Sequence, residues 1–457
     1  MPMNKFILLL SLLPLTVDVA AQDTSKQLTK AYQQSAFSLF NAVAENQTGN
    51  VCFSPLSLQL ALSMVQNGAS GNTLQQMQQA LGTTDFSNEE IGDFNRTLSK
   101  SITERPPFDA HDWWQQEPDP QEAYNSCYPI CELANALWTR PDVELYDDFV
   151  EALRTYYDSA TEPVEFSTWE GIGRINAWAD EHTHGLIPKI YNQPQSSDLA
   201  VVLTNALYFK GSWVVPFNEE ATSKQPFWID DQTFVRADMM FMRDYVRCGA
   251  TPSFRTITLR YGMDGDFSMT VFVPKEETQL PELTYEEWSA SRSGKEIPTN
   301  LQMPRFEIDG NYNLNDVLKG LGMTDAFVGN ADFSKMSKHP RAISNVRQLS
   351  KIIVDEKGTE AAAITIIEVP DGIGPDPEDF QDFNVDRPFY FTIQKADVVL
   401  FVGRVTQLPG TVEKVDGVAE VASHQDAGRC YDVQGRQLLR APKKGFYIQD
   451  GQKRVAY

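Results

Sequence analysis

The stretch from Asp355 to Pro370 has the composition of a buried strand and the surroundings of an exposed loop, and a fold for this chain has to accommodate both. Read with a period of two, Thr359, Ala361, Ala363, Thr365, Ile367 and Val369 share one face, small at its start and apolar at its end. Glu360, Ala362, Ile364, Ile366 and Glu368 share the other. The run Asp371-Gly372-Ile373-Gly374-Pro375-Asp376-Pro377 that follows is made of turn formers and belongs on a surface. Small side chains at 359, 361 and 363 are what a segment needs if it is to slip between two strands already in place; Arg or Pro there would stall it.

The rest of the chain divides into helices early and strands late. Ser35 to Val43 is amphipathic, Ser54-Pro55-Leu56-Ser57 is a helix start with Pro in the first turn, and Thr73 to Leu81 begins another helix. From Leu199 onward strands dominate: Val201 to Phe209, Phe267 to Val273 closed by Pro274, Ile352 to Val354, and Pro388 to Val405, with helical periodicity returning at Leu314 to Leu321. This order, without βαβ alternation, indicates an α+β fold. Residues 103–126 carry six acidic residues and Trp113-Trp114, the signature of a solvated insertion. Residues 410–427 read as a polar linker and 428–457 as a small β-rich tail.

Charge and cysteine usage narrow the setting. With 39 Lys plus Arg against 62 Asp plus Glu, the formal charge of −23 repels phosphate backbones and anionic lipid, which excludes a nucleic-acid binder. Lys5, the apolar run Phe6 to Leu15 and Val19-Ala20-Ala21 before Gln22 form a secretory signal peptide over residues 1–21, so an exported protein is expected. Five cysteines, Cys52, Cys127, Cys131, Cys248 and Cys430, are too few for a disulfide framework. Cys127 and Cys131 offer a local bridge, half a metal site with His111, or two free thiols.

Catalytic signatures are missing. The chain has no Gly-x-Ser-x-Gly elbow, His-Glu-x-x-His, Walker loop or Gly-x-Gly-x-x-Gly, and His182 and His184, two apart, do not share a helix face as metal ligands would. Neither an enzyme nor a cofactor or metal is expected.

A resemblance gives the ambiguous segment its meaning. Residues 355–370 resemble the hinge and reactive-centre loop of the serpins, the serine-protease-inhibitor superfamily. Other stretches in family order are similar: Asn50 to Ser57, Ile175-Asn176-Ala177-Trp178 with Thr183-His184-Gly185, Thr204 to Trp213, Met303-Pro304-Arg305-Phe306, Leu321 to Phe327, and Arg387 to Phe391 with Gly403-Arg404-Val405. They place a serpin domain at 22–409, with hinge and reactive loop at 356–387. The resemblance implies a central five-stranded sheet, two further sheets and eight or nine helices. It implies that a protease attacks the loop as a substrate, forms an acyl-enzyme, and is carried across the molecule when the cut loop inserts into the sheet. The implied hinge is Glu356, Gly358, Thr359, Glu360, Ala361, Ala362 and Ala363; from Gly358 to Gly372 fifteen residues give about 50 Å of strand.

By the same resemblance Ser54, Ser57, Asn176 and Asn205 lie near the centre of the sheet where strands part, and Trp213 near its top. Gln348 stands where the family commonly has His, and a Gln can donate and accept but not titrate. Counting from the hinge makes Gly372–Ile373 the reactive bond; the stretch from there to Pro388 is longer than the family's, which keeps Asp371 and Gly374 as alternatives. No Lys or Arg lies between Lys357 and Arg387, which disfavours trypsin-like targets and favours elastase-like serine or papain-like cysteine proteases, with an acid-specific protease at Asp371 as a third choice. The partner implied is a target protease in covalent complex, and the inhibitor is expected to be a monomer. Some relatives bind heparin through a basic helix near 103–126, and the acidic charge of this insertion argues against a heparin-like polyanion. Cys430 to Arg436 with Gly445 to Ile448 resembles the terminal sorting domains of exported Bacteroidetes proteins, which implies delivery outside the cell or to its surface. The alternative to an inhibitor is a non-inhibitory serpin acting as a binding or carrier protein.

Overall fold

A computed structural model describes residues 13–108, 118–263, 265–276, 280–339, 341–360 and 379–414, together with the tail strands at 430–431, 437–438, 445–449 and 452–456. The helices are α1 (Leu13–Glu45), α2 (Pro55–Gln66), α3 (Gly71–Leu81), α4 (Asn88–Thr103), α5 (Pro120–Cys127), α6 (Asp147–Tyr157), α7 (Trp169–His182), α8 (Tyr285–Ser291) and α9 (Asn315–Gly320). The strands are β1 (Val51–Phe53), β2 (Ile130–Thr139), β3 (Ala160–Pro163), β4 (Val201–Ser212), β5 (Asn218–Trp228), β6 (Thr233–Ala250), β7 (Phe254–Tyr261), β8 (Phe267–Pro274), β9 (Lys295–Pro304), β10 (Phe306–Asn313), β11 (Asn345–Val354), β12 (Gly358–Thr359), β13 (Gln381–Asn384), β14 (Phe389–Lys395), β15 (Val398–Val405) and β16 (Val412–Lys414). In the tail, β17 (Cys430–Tyr431), β18 (Gln437–Leu438), β19 (Gly445–Gln449) and β20 (Gln452–Ala456) make a sheet of their own in the order β18-β17-β19-β20.

The fold is α+β. Its central sheet runs β10-β11-β12-β4-β2-β3, five full strands plus the two-residue β12. The two further sheets implied by the resemblance are joined into one continuous sheet of ten strands, because the 18-residue β6 belongs to both halves: it pairs with β5 near its start, with β7 at its end, and with β9 between. β11 shows how sequence makes a central strand. Val346, Gln348, Ser350, Ile352 and Val354 are buried on the core face, and Arg347 and Lys351 alternate with them.

Two cores lie behind the central sheet and one in front. α2 is buried along its whole length, started by Ser54, whose hydroxyl accepts from Ser57 N–H, with Pro55 in the first turn. In front, Ile172, Ile175 and Ala179 of α7 pack on Ala136, Trp138 and Val202, so α7 covers part of the sheet's outer face. Each such fully buried large side chain contributes about 1.5–3 kcal/mol.

Three boundaries differ from the sequence reading. α1 starts at Leu13, inside the apolar leader, and passes through the expected cut after Ala21. The stretch read as linker opens with β16, whose Val412–Lys414 add to the edge of β6 and whose Glu413 meets Arg236 Nε at 3.0 Å. The acidic insertion ends in a helix, α5, capped by Asp119; His111 and Trp113-Trp114 lie outside the described residues. Cys127 and Cys131 are both buried and are not bridged to each other, and burial pushes the Cys131 thiol up to about 12.

Candidate functional site

The hinge turns at the end of β11. Asp355 Oδ1 accepts from the N–H groups of Lys357 (2.8 Å) and Gly358 (3.2 Å), and this Asx turn sends the chain back along β11 as β12. Trp213 clamps the turn from the side: its N–H donates to Lys357 O and its Nε1–H to Asp355 O, both at 2.9 Å. Below the turn, Glu356 is 4% exposed and receives Arg305 Nε at 2.7–2.8 Å and the Thr222 hydroxyl. Burial pushes the Glu356 carboxyl up, but the hydrogen bonds from Arg305 and Thr222 outweigh it and hold it below its ordinary range.

A depressed carboxyl stabilises the fold above its unfolded pKa, and that contribution is lost as pH falls through the folded value. Arg305→Met is therefore expected to cost about 1–3 kcal/mol at pH 7, less than a fully buried pair because the guanidinium is 45% exposed. Urea unfolding curves measure it, and the penalty should shrink as pH drops into the carboxylate range.

Thr359 is the wedge. It pairs with Val354 of β11 on one side and Gly211 of β4 on the other, is 2% exposed, and places its hydroxyl 2.5 Å from that of Tyr261. Tyr261 stacks on Trp213, ring centroids 4.3 Å apart and 16° between planes. A Cβ at Gly211 would come within 3.0–3.2 Å of Phe209 and Tyr261, so glycine is what lets that ring lie under the hinge.

β4 and β11 pair directly only at the other end. Asn345–Gln348 run parallel to Val202–Asn205, while 349–353 and 206–210 are not paired with each other. The register is the same on both sides of this gap: each β11 residue faces the β4 residue numbered 143 lower, at Asn345 and Val202 and again at Val354 and Gly211 flanking Thr359. A strand can therefore enter without any change of register between its two neighbours.

The gap closes at Asn205 and Gln348. Gln348 Nε2 donates to Ser54 O (2.7 Å) and its Oε1 accepts from Ser54 N–H (3.3 Å); the Ser54 hydroxyl donates to Leu400 O (2.7 Å) and accepts from Ser57 N–H (3.3 Å). Asn205 Nδ2 donates to Asn135 Oδ1, and Asn205 Oδ1 is buried without a hydrogen-bond partner. Gln348 thus both donates to and accepts from Ser54, with no charge to lose. Asn176 is not in this seam. It sits on α7, one layer out, where its side chain bonds the backbone of Ile190 and Tyr191, and Arg347 of β11 lies over the Tyr191 ring at 5.2 Å. Its amide straps the front of the sheet and does not line the opening.

The structure brings together Ser54, Ser57, Asn205 and Gln348 at the closed end, and Trp213, Glu356, Gly358, Thr359 and Glu360 at the open end. Ala361, Ala362, Ala363 and the reactive-bond candidates Asp371, Gly372, Ile373 and Gly374 lie outside the described residues. Sequence reasoning missed Tyr261, which no motif marks, and the pairing of Arg305 with Glu356, both of which stand in quoted motifs. Among the described residues no group of three or more His, Cys, Asp or Glu side chains is placed to hold a metal ion.

A family model described as serpin (serine protease inhibitor) matches residues 30–408. The chain is a serpin. Serpin B6 of Macaca fascicularis is 32% identical over 391 residues, which cover 82% of this serpin and 98% of the relative. Among solved structures, Serpin48 of Tenebrio molitor, described as a highly specific serpin, aligns with a TM-score of 0.68 at 26% identity over 84% of this chain and 99% of its own. Human thyroxine-binding globulin in complex with its hormone aligns with a TM-score of 0.72 over 84% and 99%, and at 23% identity that likeness concerns the fold alone. The family is one of protease inhibitors, generally not catalysts.

Proposed function

We propose that this serpin is an exported suicide-substrate inhibitor that traps a protease as an acyl-enzyme by inserting its cut loop between β4 and β11. The observation that carries the reading is Thr359, already seated between those strands in the register that the rest of the loop would continue. The small residues Ala361 and Ala363 on the same face support it, as do the five levels below the hinge at which β4 and β11 do not pair with each other. The target is an elastase-like serine protease or a papain-like cysteine protease, cutting at Gly372–Ile373, since the loop offers no Lys or Arg. Export rests on the leader at 1–21, and attachment to the cell surface on the C-terminal tail.

Incubation with elastase, papain and trypsin followed by denaturing electrophoresis tests this. Elastase or papain should give a band at the summed mass that survives boiling, and trypsin should not. The peptide released should begin at Ile373 by mass spectrometry; a cut after Arg387 would contradict the assignment. Clean cleavage with no such band and no gain in melting temperature would favour a carrier, the reading a hormone-binding relative of the same fold makes available.

A further inference from the structure

Glu360 follows directly on β12, and a cluster forms around it that strand pairing does not require. Glu360 N–H still donates to Ile353 O at 2.9 Å, but the residue is in the left-handed region at φ 49°, which side-chain-bearing residues enter at a cost. Its Oε1 accepts from the Tyr208 hydroxyl (3.1 Å), and its Oε2 is buried with no hydrogen-bond partner among the described residues. The Tyr208 ring lies against His184, centroids 4.4 Å apart, and His184 Nε2 is 2.8 Å from Glu132 Oε2.

Charged and titratable groups reach Glu360 from the neighbouring elements, Tyr208 and Lys210 on β4, His184 just past α7 and Lys351 on β11, while Glu132 on β2 faces Tyr208 and His184 behind them. Lys351 is itself paired with Glu307 and Asp309 of β10. A half-buried carboxylate with one oxygen bonded and the other orphaned is costly as an ion and far less so as an acid. Burial accordingly pushes Glu360 above its ordinary value, and the Tyr208 bond and the cations offset only part of that. Burial, with Glu360 and Glu132 close by, pushes the Tyr208 hydroxyl upward as well, so it remains a donor.

We propose that Glu360 is a proton-operated latch on the hinge, holding residues 358–360 in the sheet when protonated and favouring their release when ionised. The sign follows from linkage. A group whose pKa is raised in the seated state stabilises that state fully below its ordinary value of 4.5, and the stabilisation is lost as pH rises through the raised value. Acid seats the hinge, and neutral pH frees it. The consequence for inhibition, a loop more available to proteases at neutral pH, rests on the inhibitory reading above.

Amide hydrogen exchange of the 358–360 segment in the full chain, measured from pH 5 to 8 as the ratio of wild type to Glu360→Gln, tests the latch and cancels intrinsic base catalysis. The ratio should rise several-fold with pH, because Gln cannot ionise, and His184→Gln should keep that rise. A flat ratio, or a rise abolished by His184→Gln, would overturn the proposal. No protease is present, so a flat ratio leaves the inhibitory reading standing, and a titrating hinge in a protein that never traps a protease removes that reading and leaves the latch.

Discussion

Thr359→Arg is expected to turn the protein from an inhibitor into a substrate, with the yield of boiling-resistant complex falling about 100-fold or more while cleavage of the loop continues. Thr359 occupies a slot between Val354 and Gly211 that is 2% exposed and floored by Tyr261, with space for a hydroxyl and a methyl group. A guanidinium driven into it loses its water and gains no carboxylate that the fold has placed for it, so the first step of insertion becomes the slowest. The acyl-enzyme then has time to hydrolyse, since trapping is a race between deacylation and strand entry. Thr359→Ser keeps the size and the hydroxyl and should inhibit normally. Quantifying complex and cleaved bands for the two variants checks this, and complex at wild-type yield from Thr359→Arg would refute insertion as the trapping step.

The parts of this molecule legible in the sequence are those where one residue pattern has one physical solution. β11 alternates cleanly, α2 announces itself by Ser54-Pro55, and the small face at 359, 361 and 363 states what the segment must do. What escaped is set by partners distant in the chain. Nothing local says that Glu356 meets Arg305, 51 residues earlier, or that Thr359 meets Tyr261, 98 residues earlier. The resemblance implies that Asn176 lies near the centre of the sheet where strands part, yet its position on α7 puts it a layer away. The depth of the hinge was equally hidden, because a segment able to be strand or loop does not reveal where it changes from one to the other. Among the described residues β12 ends at Thr359, and φ turns positive at Glu360.

Cutting the reactive loop should raise the melting temperature by on the order of 20 °C, since about a dozen new ladder bonds at roughly 1 kcal/mol each become available. The common register tells where each residue would go. Residues 360–364 would fill the levels of 206–210 and 349–353, which are not paired with each other and need not be broken. Residues 365–368 would displace the four direct pairs between Val202–Asn205 and Asn345–Gln348, exchanging one ladder for two. Thr365 is the residue that would arrive between Asn205 and Gln348, on the core-facing side, where Asn205 Oδ1 is buried and unpartnered. Its hydroxyl would supply the missing donor. Thr365→Val should therefore leave the uncut protein's melting unchanged and lower the stability of the cut form by about 1–3 kcal/mol, the cost of a buried acceptor left unsatisfied. Calorimetry of cut and uncut wild type and variant separates the outcomes. No rise on cutting would mean that the loop does not insert, and a full rise in Thr365→Val would mean that it inserts in another register.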